Sequence, residues 1–183
     1  MCKTKPQEVI RFCPRCGSNQ FIAQDGKSFK CQDCYFHFFV NSACAVAGII
    51  INEKGEMLLT RRAFDPHAGM LDLPGGFVDP GERAEAALVR EIKEELNLEV
   101  IDLRFLASYP NEYVFSGYTV YTTDLGFVCR VANFDNMHAQ DDISGYEFIH
   151  PEAIDFEQIS AGSIARLIET YVAIGAHHRK THR

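Results

Sequence analysis

Three glutamates within one short segment could together hold a divalent cation. Glu91, Glu94 and Glu95 are spaced at i, i+3 and i+4, so on an α-helix their carboxylates lie on one face. Three like charges this close destabilise a helix unless a cation neutralises them, and magnesium or manganese accepts such oxygen ligands. A solvated surface helix in an acidic protein would show the same spacing. The residues around the glutamates therefore have to separate these two interpretations.

A glycine loop and an ion pair favour the metal site. Pro74-Gly75-Gly76 precedes the segment, and glycine allows backbone carbonyl and N–H groups to approach a ligand closely. Glu82 and Arg90 carry opposite charges eight residues apart, about two helical turns, so they can pair and steady the cluster. Residues 82–96 have helical periodicity. The side of this helix that can be buried consists of Ala84, Ala86, Ala87, Leu88, Ile92 and Leu96.

Four of the seven cysteines form two close pairs, Cys13 with Cys16 and Cys31 with Cys34. The 14 residues between the pairs can form a hairpin that brings them together, and four thiolates in tetrahedral geometry select zinc. Two disulfides or a redox-active pair would use the same residues. No apolar segment follows the N-terminal lysines, so we expect reduced thiols and zinc. A site closed by four cysteines predicts structural rather than catalytic zinc.

Charge divides the chain unevenly. The net charge of the 183 residues is −7, yet residues 1–43 hold six Lys or Arg against three Asp or Glu. The acidic remainder argues against general nucleic-acid affinity and suits a protein that binds hard cations. The longest apolar run, residues 43–51, is less than half of the ~20 residues that cross a bilayer. We expect a cytoplasmic protein with no membrane contact, for which nucleic acid is a disfavoured but open partner.

Apolar patterning predicts the elements that must position these residues. We expect strands and two helices mixed in an α/β or α+β sandwich, with an irregular segment at 63–81 and a turn from Asn52 to Gly55. The predicted strands are 35–40, 43–51, 56–62, 99–109, 112–122, 124–132 and 146–150, and the predicted helices are 82–96 and 160–175.

The segment from Gly76 to Leu98 resembles the Nudix box, GX5EX7REUXEEXGU, in which U is a bulky aliphatic residue. Eight of the nine specified positions match at fixed spacing. The departure is Asn97, where the family has its second glycine. That position follows the helix and needs a left-handed conformation, which asparagine tolerates next best after glycine. The box covers 23 residues, and the flanking strands extend the resemblance over about residues 43–175.

The resemblance implies an α/β fold: a Nudix α/β/α sandwich, with a mixed sheet and a loop–helix–loop catalytic motif, preceded by a small zinc ribbon. The implied organisation is a zinc ribbon at 1–42, a Nudix hydrolase domain at 43–176 and a basic tail at 177–183. The implied activity is metal-dependent hydrolysis of the pyrophosphate bond in a nucleoside diphosphate linked to another moiety, by attack of water at phosphorus.

The resemblance also implies roles for individual residues. Glu91, Glu94 and Glu95, helped by the Gly76 carbonyl, would hold magnesium or manganese. Glu82 and Arg90 would order the loop–helix–loop. The general base varies within the family. Asp142 is the first candidate here and Glu147 the second.

Substrate choice depends on a second resemblance. A zinc ribbon ahead of a Nudix domain is similar to the NADH pyrophosphatase family, whose further motif is SQPWPFPxS. Here Ser108, Pro110 and Ser116 match, but Asn111 and Glu112 depart from it. A nucleotide-derived small molecule is therefore the expected substrate and NAD(H) the narrower alternative. The candidate substrate-binding residues are Arg61, Arg62, Gly75, Gly76 and Tyr113.

Two further expectations concern partners. Relatives with this arrangement make a homodimer the default expectation. Zinc ribbons also bind nucleic acid, so a nucleic-acid-binding or regulatory protein with an inactive Nudix domain remains the alternative from another functional class.

Overall fold

The computed structural model describes the backbone of residues 4–180 and the side chains of residues 4–175. Its contacts divide the chain into two units. The first comprises Met1–Ala43 with Glu112–Tyr121, and the second comprises Cys44–Asn111 with Thr122–Arg183.

The first unit is a small three-stranded antiparallel sheet with the strand order β1-β2-β3. Its core is formed by buried Phe21, Phe29 and two of the cysteines, with the two phenyl rings stacked at a centroid distance of 5.2 Å. Within this unit the amide of Thr119 donates to the Thr4 carbonyl. The elements are α1 (Pro6–Val9), β1 (Phe21–Ala23), β2 (Ser28–Cys31) and β3 (His37–Phe39).

The second unit contains two sheets and two long helices. One sheet has the order β7-β4-β9-β8 and the other has the order β10-β5-β6. The strands are β4 (Ala43–Ile50), β5 (Met57–Arg62), β6 (Leu71–Asp72), β7 (Gly75–Phe77), β8 (Val100–Phe115), β9 (Tyr118–Val131) and β10 (Ile143–Ile149). Ala43 of β4 and the parts of β8 and β9 within Glu112–Tyr121 belong to the first unit. The helices are α2 (Ala84–Leu96) and α3 (Gly162–Lys180), with 3-10 turns at Pro151–Ala153 and Phe156–Gln158.

Strand β4 shows why the helices lie on opposite faces of its sheet. Alternate side chains of a strand point to opposite faces. Val46 and Ile50 enter one core with α2, whereas Ala47 and Ile49 enter another with α3. Gly48, on the α2 face, leaves room for that helix, since a Cβ there would meet Ile92 at 3.0 Å. The predicted α/β/α sandwich is confirmed.

The long β8–β9 hairpin differs from the prediction. A strand break was expected at 110–111, but β8 runs through Pro110, which an edge strand tolerates because its outward N–H groups need no partner. The chain reverses instead at Ser116 and Gly117, whose φ angles of 50° and 76° suit a two-residue hairpin turn. The predicted strands at 112–122 and 124–132 are therefore wrong in their boundaries.

Other boundaries also shift. The segment at 63–81, predicted to be irregular, contains the short strands β6 and β7, and β10 begins at Ile143 rather than 146. The turn after Asn52 is confirmed, with the Gly55 amide donating to the Asn52 carbonyl at 3.0 Å. Helix α3 extends to Lys180, beyond the predicted end at 175. Residues 181–183 of the predicted basic tail lie outside the described residues.

No helix among the described residues has the length and apolar character that a membrane crossing requires.

Candidate functional site

Helix α2 positions the predicted carboxylates. Ala87, Leu88, Ile92 and Leu96 are fully buried against the sheet, and this fixes the rotation of the helix. Asn97 ends α2 in the left-handed conformation, with φ 55° and ψ 28°. The conformation predicted for this position is confirmed.

Glu95 is a buried acid on this helix. Its side chain is 3% exposed, and its Oε2 accepts a hydrogen bond of 3.0 Å from the amide of Gly75. Burial, and then the nearby negative charge of Asp142, raise the pKa of Glu95 to about 10. A buried carboxylate is costly unless it is paired. A divalent cation beside Glu95 would supply the missing positive charge, so this residue fits a metal site.

Close packing against backbone requires glycine at position 75, and at position 76 any side chain would displace the Glu91 carboxylate. A Cβ on Gly76 would lie 2.6 Å from the carboxylate carbon of Glu91, and a Cβ on Gly75 would lie 2.0 Å from the Val46 carbonyl oxygen. Gly75 also has a φ of 147°, a conformation that other residues rarely adopt. Burial raises the pKa of Glu91, although Arg90 opposes the shift. The glycines thus bring backbone against the acidic face of α2.

Arg90 connects the acids to the loop. Its Nε and Nη2 donate to the two Glu82 oxygens at 3.1 and 2.9 Å, a bidentate pair, and Nη2 also donates to the Phe77 carbonyl at 3.1 Å. Its Nη1 donates to Glu91 at 2.8 Å and to Glu94 at 3.0 Å. Hydrogen bonding to Arg90 lowers the pKa of Glu82. The ion pair expected from the eight-residue spacing is therefore present.

Asp142 belongs to a loop that is bonded to α2, since the amide of Gln140, two residues earlier, donates to the Glu95 carbonyl at 3.0 Å. Its negative charge contributes to the raised pKa of both Glu91 and Glu95. The acids do not converge fully, however. Among the side chains that the structure describes, no three carboxylates place oxygens within 4.8 Å of one another, and Arg90 stands between Glu91 and Glu94.

The predicted phosphate-binding arginines already have carboxylate partners. Arg61 pairs with Glu147, the second candidate for the general base, and Arg62 pairs with Asp72 at 3.2 Å. To bind a phosphate oxygen, either arginine would first have to release its present carboxylate partner. Tyr113 lies on β8 in the first unit, where its ring stacks with Phe115 at 6.3 Å.

Asp72 is a residue of the site that the sequence prediction missed. It is surrounded by hydrogen-bond donors, with Ser160 Oγ at 2.6 Å and the Leu73 amide at 2.8 Å, and burial raises its pKa. Its charge adds to the raised pKa of Glu95. An acid between two apolar residues, Leu71 and Leu73, was the available signal, since such an acid is buried only where partners are provided.

The four predicted cysteines form the second candidate site. Their Sγ atoms all lie within 4.8 Å of one another, and the Cys13–Cys34 and Cys16–Cys31 separations are both 3.7 Å. A disulfide needs about 2.05 Å, so these thiols are not bonded in pairs. Tetrahedral zinc with Zn–S bonds of about 2.3 Å separates its sulfurs by about 3.8 Å. The geometry fits a four-cysteine metal site.

Comparison with protein families matches residues 42–168 to the NUDIX domain, which is more than half of the chain. Among curated proteins, the "NAD-capped RNA hydrolase NudC" of Pseudomonas putida (strain GB-1) is 29% identical over 169 residues, covering 89% of this chain and 56% of that protein. The protein of the same name from Vibrio vulnificus (strain CMCP6) is 29% identical over 104 residues, covering 56% of this chain and 39% of that protein. The chain spans about half the length, or less, of these relatives.

Solved structures show the same fold. A NUDIX hydrolase from Nitrosomonas europaea has a TM-score of 0.67 and 19% identity, and the match covers 92% of this chain and 93% of that one. An identity this low supports the fold and carries no information on substrate.

Proposed function

The chain belongs to the NUDIX family, and from this premise we propose that it hydrolyses the pyrophosphate bond of a nucleoside diphosphate linked to another moiety. The observation that carries the proposal is buried Glu95, which faces negative neighbours beside a loop of two close-packed glycines. A buried carboxylate with negative neighbours is stabilised when a cation binds beside it, and a diphosphate could then bind to that cation.

The proposed metal ligands are Glu91, Glu94 and Glu95 with the Gly76 carbonyl. A magnesium or manganese ion, when bound there, would offset the charge of the pyrophosphate and lower the pKa of water. Arg90 would hold the loop and helix in register through its bonds to Glu82 and the Phe77 carbonyl.

Asp142 is the proposed general base. It belongs to a loop whose Gln140 amide is bonded to the Glu95 carbonyl, and its negative charge contributes to the raised pKa of Glu91 and Glu95, which supports a role for it in facing a water molecule from outside the helix. Taking a proton from the attacking water is the step that it would assist. Of the two proposed phosphate ligands, Arg61 is the more exposed, at 36% against 25% for Arg62, and it would exchange Glu147 for phosphate.

NAD(H) and NAD-capped RNA are the favoured members of this substrate class. Two observations support them: the relatives named "NAD-capped RNA hydrolase NudC", and the partial match of residues 108–116 to the NADH pyrophosphatase motif. Residues 108–115 of this stretch lie on β8, where the rings of Tyr113 and Phe115 stack on each other. Stacking of a base on such a ring is worth about 1–3 kcal/mol in nucleic-acid binders.

A substrate panel tests the proposal. Purified chain is incubated with NADH, NAD-capped RNA, ADP-ribose, diadenosine polyphosphates and nucleoside triphosphates, with magnesium or with chelator, and products are separated chromatographically. We expect magnesium-dependent release of nucleoside monophosphate from at least one linked diphosphate. Turnover of none, together with salt-sensitive RNA binding, would favour the alternative of a nucleic-acid-binding protein with an inactive NUDIX domain.

We propose structural zinc for the four cysteines. The first unit has a core of only a few buried side chains, so metal binding would supply much of its folding free energy. Free thiols at Cys13, Cys16, Cys31 and Cys34 support the proposed cytoplasmic location, since thiols stay reduced there.

A homodimer is the proposed assembly. Strand β8 is at the edge of its sheet, and it exposes half or more of Ile101 and Phe105. Apolar side chains on an exposed edge are typical of an interface. Sedimentation of the wild type and of Phe105→Lys should give a dimer and a monomer respectively. A wild-type monomer at micromolar concentration would contradict this assembly.

A further inference from the structure

The loop at 133–142 is attached to the C-terminal end of α2. The last four carbonyls of an α-helix have no partner within the helix. In this protein the Glu95 carbonyl accepts from the amide of Gln140 at 3.0 Å, and the Leu96 carbonyl accepts from the amide of His138 at 3.4 Å. The loop therefore serves as the cap of the catalytic helix.

Asn97 adds a side-chain contact to this attachment. Its Nδ2 donates to the Asn136 carbonyl at 3.2 Å, and its Oδ1 accepts from Lys93 Nζ at 2.6 Å. The same Asn136 carbonyl is 2.8 Å from His138 Nδ1. Glycine, which the Nudix box has at this position, would allow the same left-handed backbone but would offer no amide to the loop.

The far end of the loop carries Asp142. Its carbonyl accepts from the amide of Ala63 at 2.8 Å, so the residue is held both by this bond and, through Gln140, by the end of α2. Gln140, two residues before Asp142, is bonded to the backbone of Glu95, and this keeps Asp142 near the end of α2 that carries the acids. A shift of the loop along α2 would therefore move Asp142 relative to the other acids.

We propose that Asn97 is a positioning residue, whose bond to the Asn136 carbonyl fixes the loop on α2 and thereby holds Asp142 at the site. The inference rests on the proposed function, in which Asp142 is the general base. Asn97 itself touches no reacting atom. Glycine would satisfy the backbone conformation at this position equally well. The bond to Asn136 gives asparagine an additional role in this chain.

The first test compares two variants that leave the backbone conformation accessible. Asn97→Gly removes the side chain, and Asn97→Asp keeps the shape and the Lys93 partner but replaces the N–H donor. With the substrate found in the panel, we expect kcat to fall about tenfold in both, the value of roughly one hydrogen bond, with KM within about twofold. Wild-type kcat in Asn97→Asp would overturn the inference.

A control variant separates the effect on kcat of the Asn97–Asn136 bond from that of the Asn97–Lys93 bond within the helix. Lys93→Met removes the other side-chain partner of Asn97 and leaves its donor free to bond Asn136. We expect kcat within about twofold of the wild type. A loss equal to that of Asn97→Gly would overturn the inference, because the effect would then come from the end of the helix and not from the loop.

The second test asks whether Asn97 acts through Asp142. Kinetics are measured for Asn97→Gly in the wild type and in Asp142→Asn. If the two residues act together, Asn97→Gly costs about tenfold in the first background and little in the second. Equal losses in both backgrounds would indicate a general structural role and would overturn the inference. So would an Asp142→Asn variant with unchanged activity.

A measurement that needs no substrate separates the inference on Asn97 from the proposed hydrolase function. Hydrogen exchange of the His138 and Gln140 amides is followed in wild type and Asn97→Gly. We expect about tenfold faster exchange in the variant, because the loop opens more often. Unchanged exchange overturns the inference even if the panel is hydrolysed. A wild type that hydrolyses none of the panel overturns the proposed function and, with it, the catalytic part of this inference.

Discussion

The two candidate metal sites differ in how closely their ligands already approach the geometry that a metal needs. The four cysteine sulfurs lie within 4.8 Å of one another, with separations of 3.7 Å that suit tetrahedral zinc. The acids of the candidate hydrolase site do not converge in this way, since no three carboxylates among the described side chains have oxygens within 4.8 Å of one another.

Charge accounts for the difference. Protonated thiols carry no charge and do not repel each other, so the four sulfurs can approach closely, with Cys13 and Cys31 buried in the small core of the first unit. Carboxylates repel each other and take the nearest donor, which is Arg90 for Glu91 and Glu94 and the Gly75 amide for Glu95. The cysteine site is therefore arranged by packing, whereas the acids would have to exchange their present partners for a cation in order to bind one.

Loss of a cysteine ligand should have the largest effect. Cys31→Ser removes one of four ligands at a site whose metal is worth about 10 kcal/mol of folding free energy in small zinc domains. We expect zinc content, measured by mass spectrometry, to fall from one per chain to near zero, with rapid hydrogen exchange across β1 to β3. Cys44→Ser, at a half-buried cysteine outside the cluster, is the control. Full zinc in Cys31→Ser would contradict the four-cysteine assignment.

Glu95→Gln should have the largest effect at the acidic site. The amide keeps the shape but cannot supply the charge that holds a cation, so we expect about a thousandfold loss of magnesium-dependent hydrolysis. The midpoint of unfolding in urea at pH 7 without magnesium should rise, because burial raises the pKa of Glu95 to about 10 and the wild type must therefore take up a proton there when it folds, whereas glutamine has no such cost. Glu85→Gln, at an exposed position of the same helix, should change neither quantity. Near-normal hydrolysis by Glu95→Gln would show that the metal assignment is wrong.

Gly76→Ala tests the close approach between loop and helix. The added Cβ would sit 2.6 Å from the Glu91 carboxylate, so either the side chain or strand β7 must move. We expect about a hundredfold loss of kcat/KM with a small change in stability, since a 1 Å misplacement can cost this much. Gly145→Ala adds a methyl group where nothing lies within 4 Å, and it should keep wild-type activity. Equal activity of the two variants would refute the packing argument.

Arg90→Lys should have the smallest effect of the four. Lysine keeps the positive charge but cannot make the bidentate bond to Glu82 while also reaching the Phe77 carbonyl. We expect a tenfold loss of kcat or less, with higher magnesium needed for half-maximal rate, measured by magnesium titration at saturating substrate. Arg83→Lys, at an exposed pair, is the control. An unchanged magnesium requirement would mean that Arg90 does not order the ligands.

Local signals allowed much of the site to be predicted from sequence. The spacing of Glu91, Glu94 and Glu95 and the glycine before them predicted one face of α2, because helix geometry fixes such positions over two turns. The left-handed conformation of Asn97 followed from its place after the helix. Both inferences used residues close together in the chain.

Non-local contacts could not be predicted in this way. The carboxylate partners of Arg61 and Arg62 come from two other strands, β10 and β6, so these two ion pairs could not be predicted from local sequence. The hairpin boundary was missed because Pro110 normally interrupts a strand, and its tolerance depends on β8 being at the edge. The role of the 133–142 loop as a cap on α2 depends on two segments about forty residues apart.

Pro110 also restricts how a second molecule could attach to strand β8. Proline has no N–H to donate, and proline on an edge strand disfavours pairing with another chain, so a ladder of main-chain bonds between two copies is disfavoured along this strand. A continuous intermolecular sheet along all sixteen residues of β8 is therefore disfavoured. Two copies of the chain that meet at this edge would associate through side-chain packing near Ile101 and Phe105. Pro110 would also disfavour the addition of further copies to a growing intermolecular sheet.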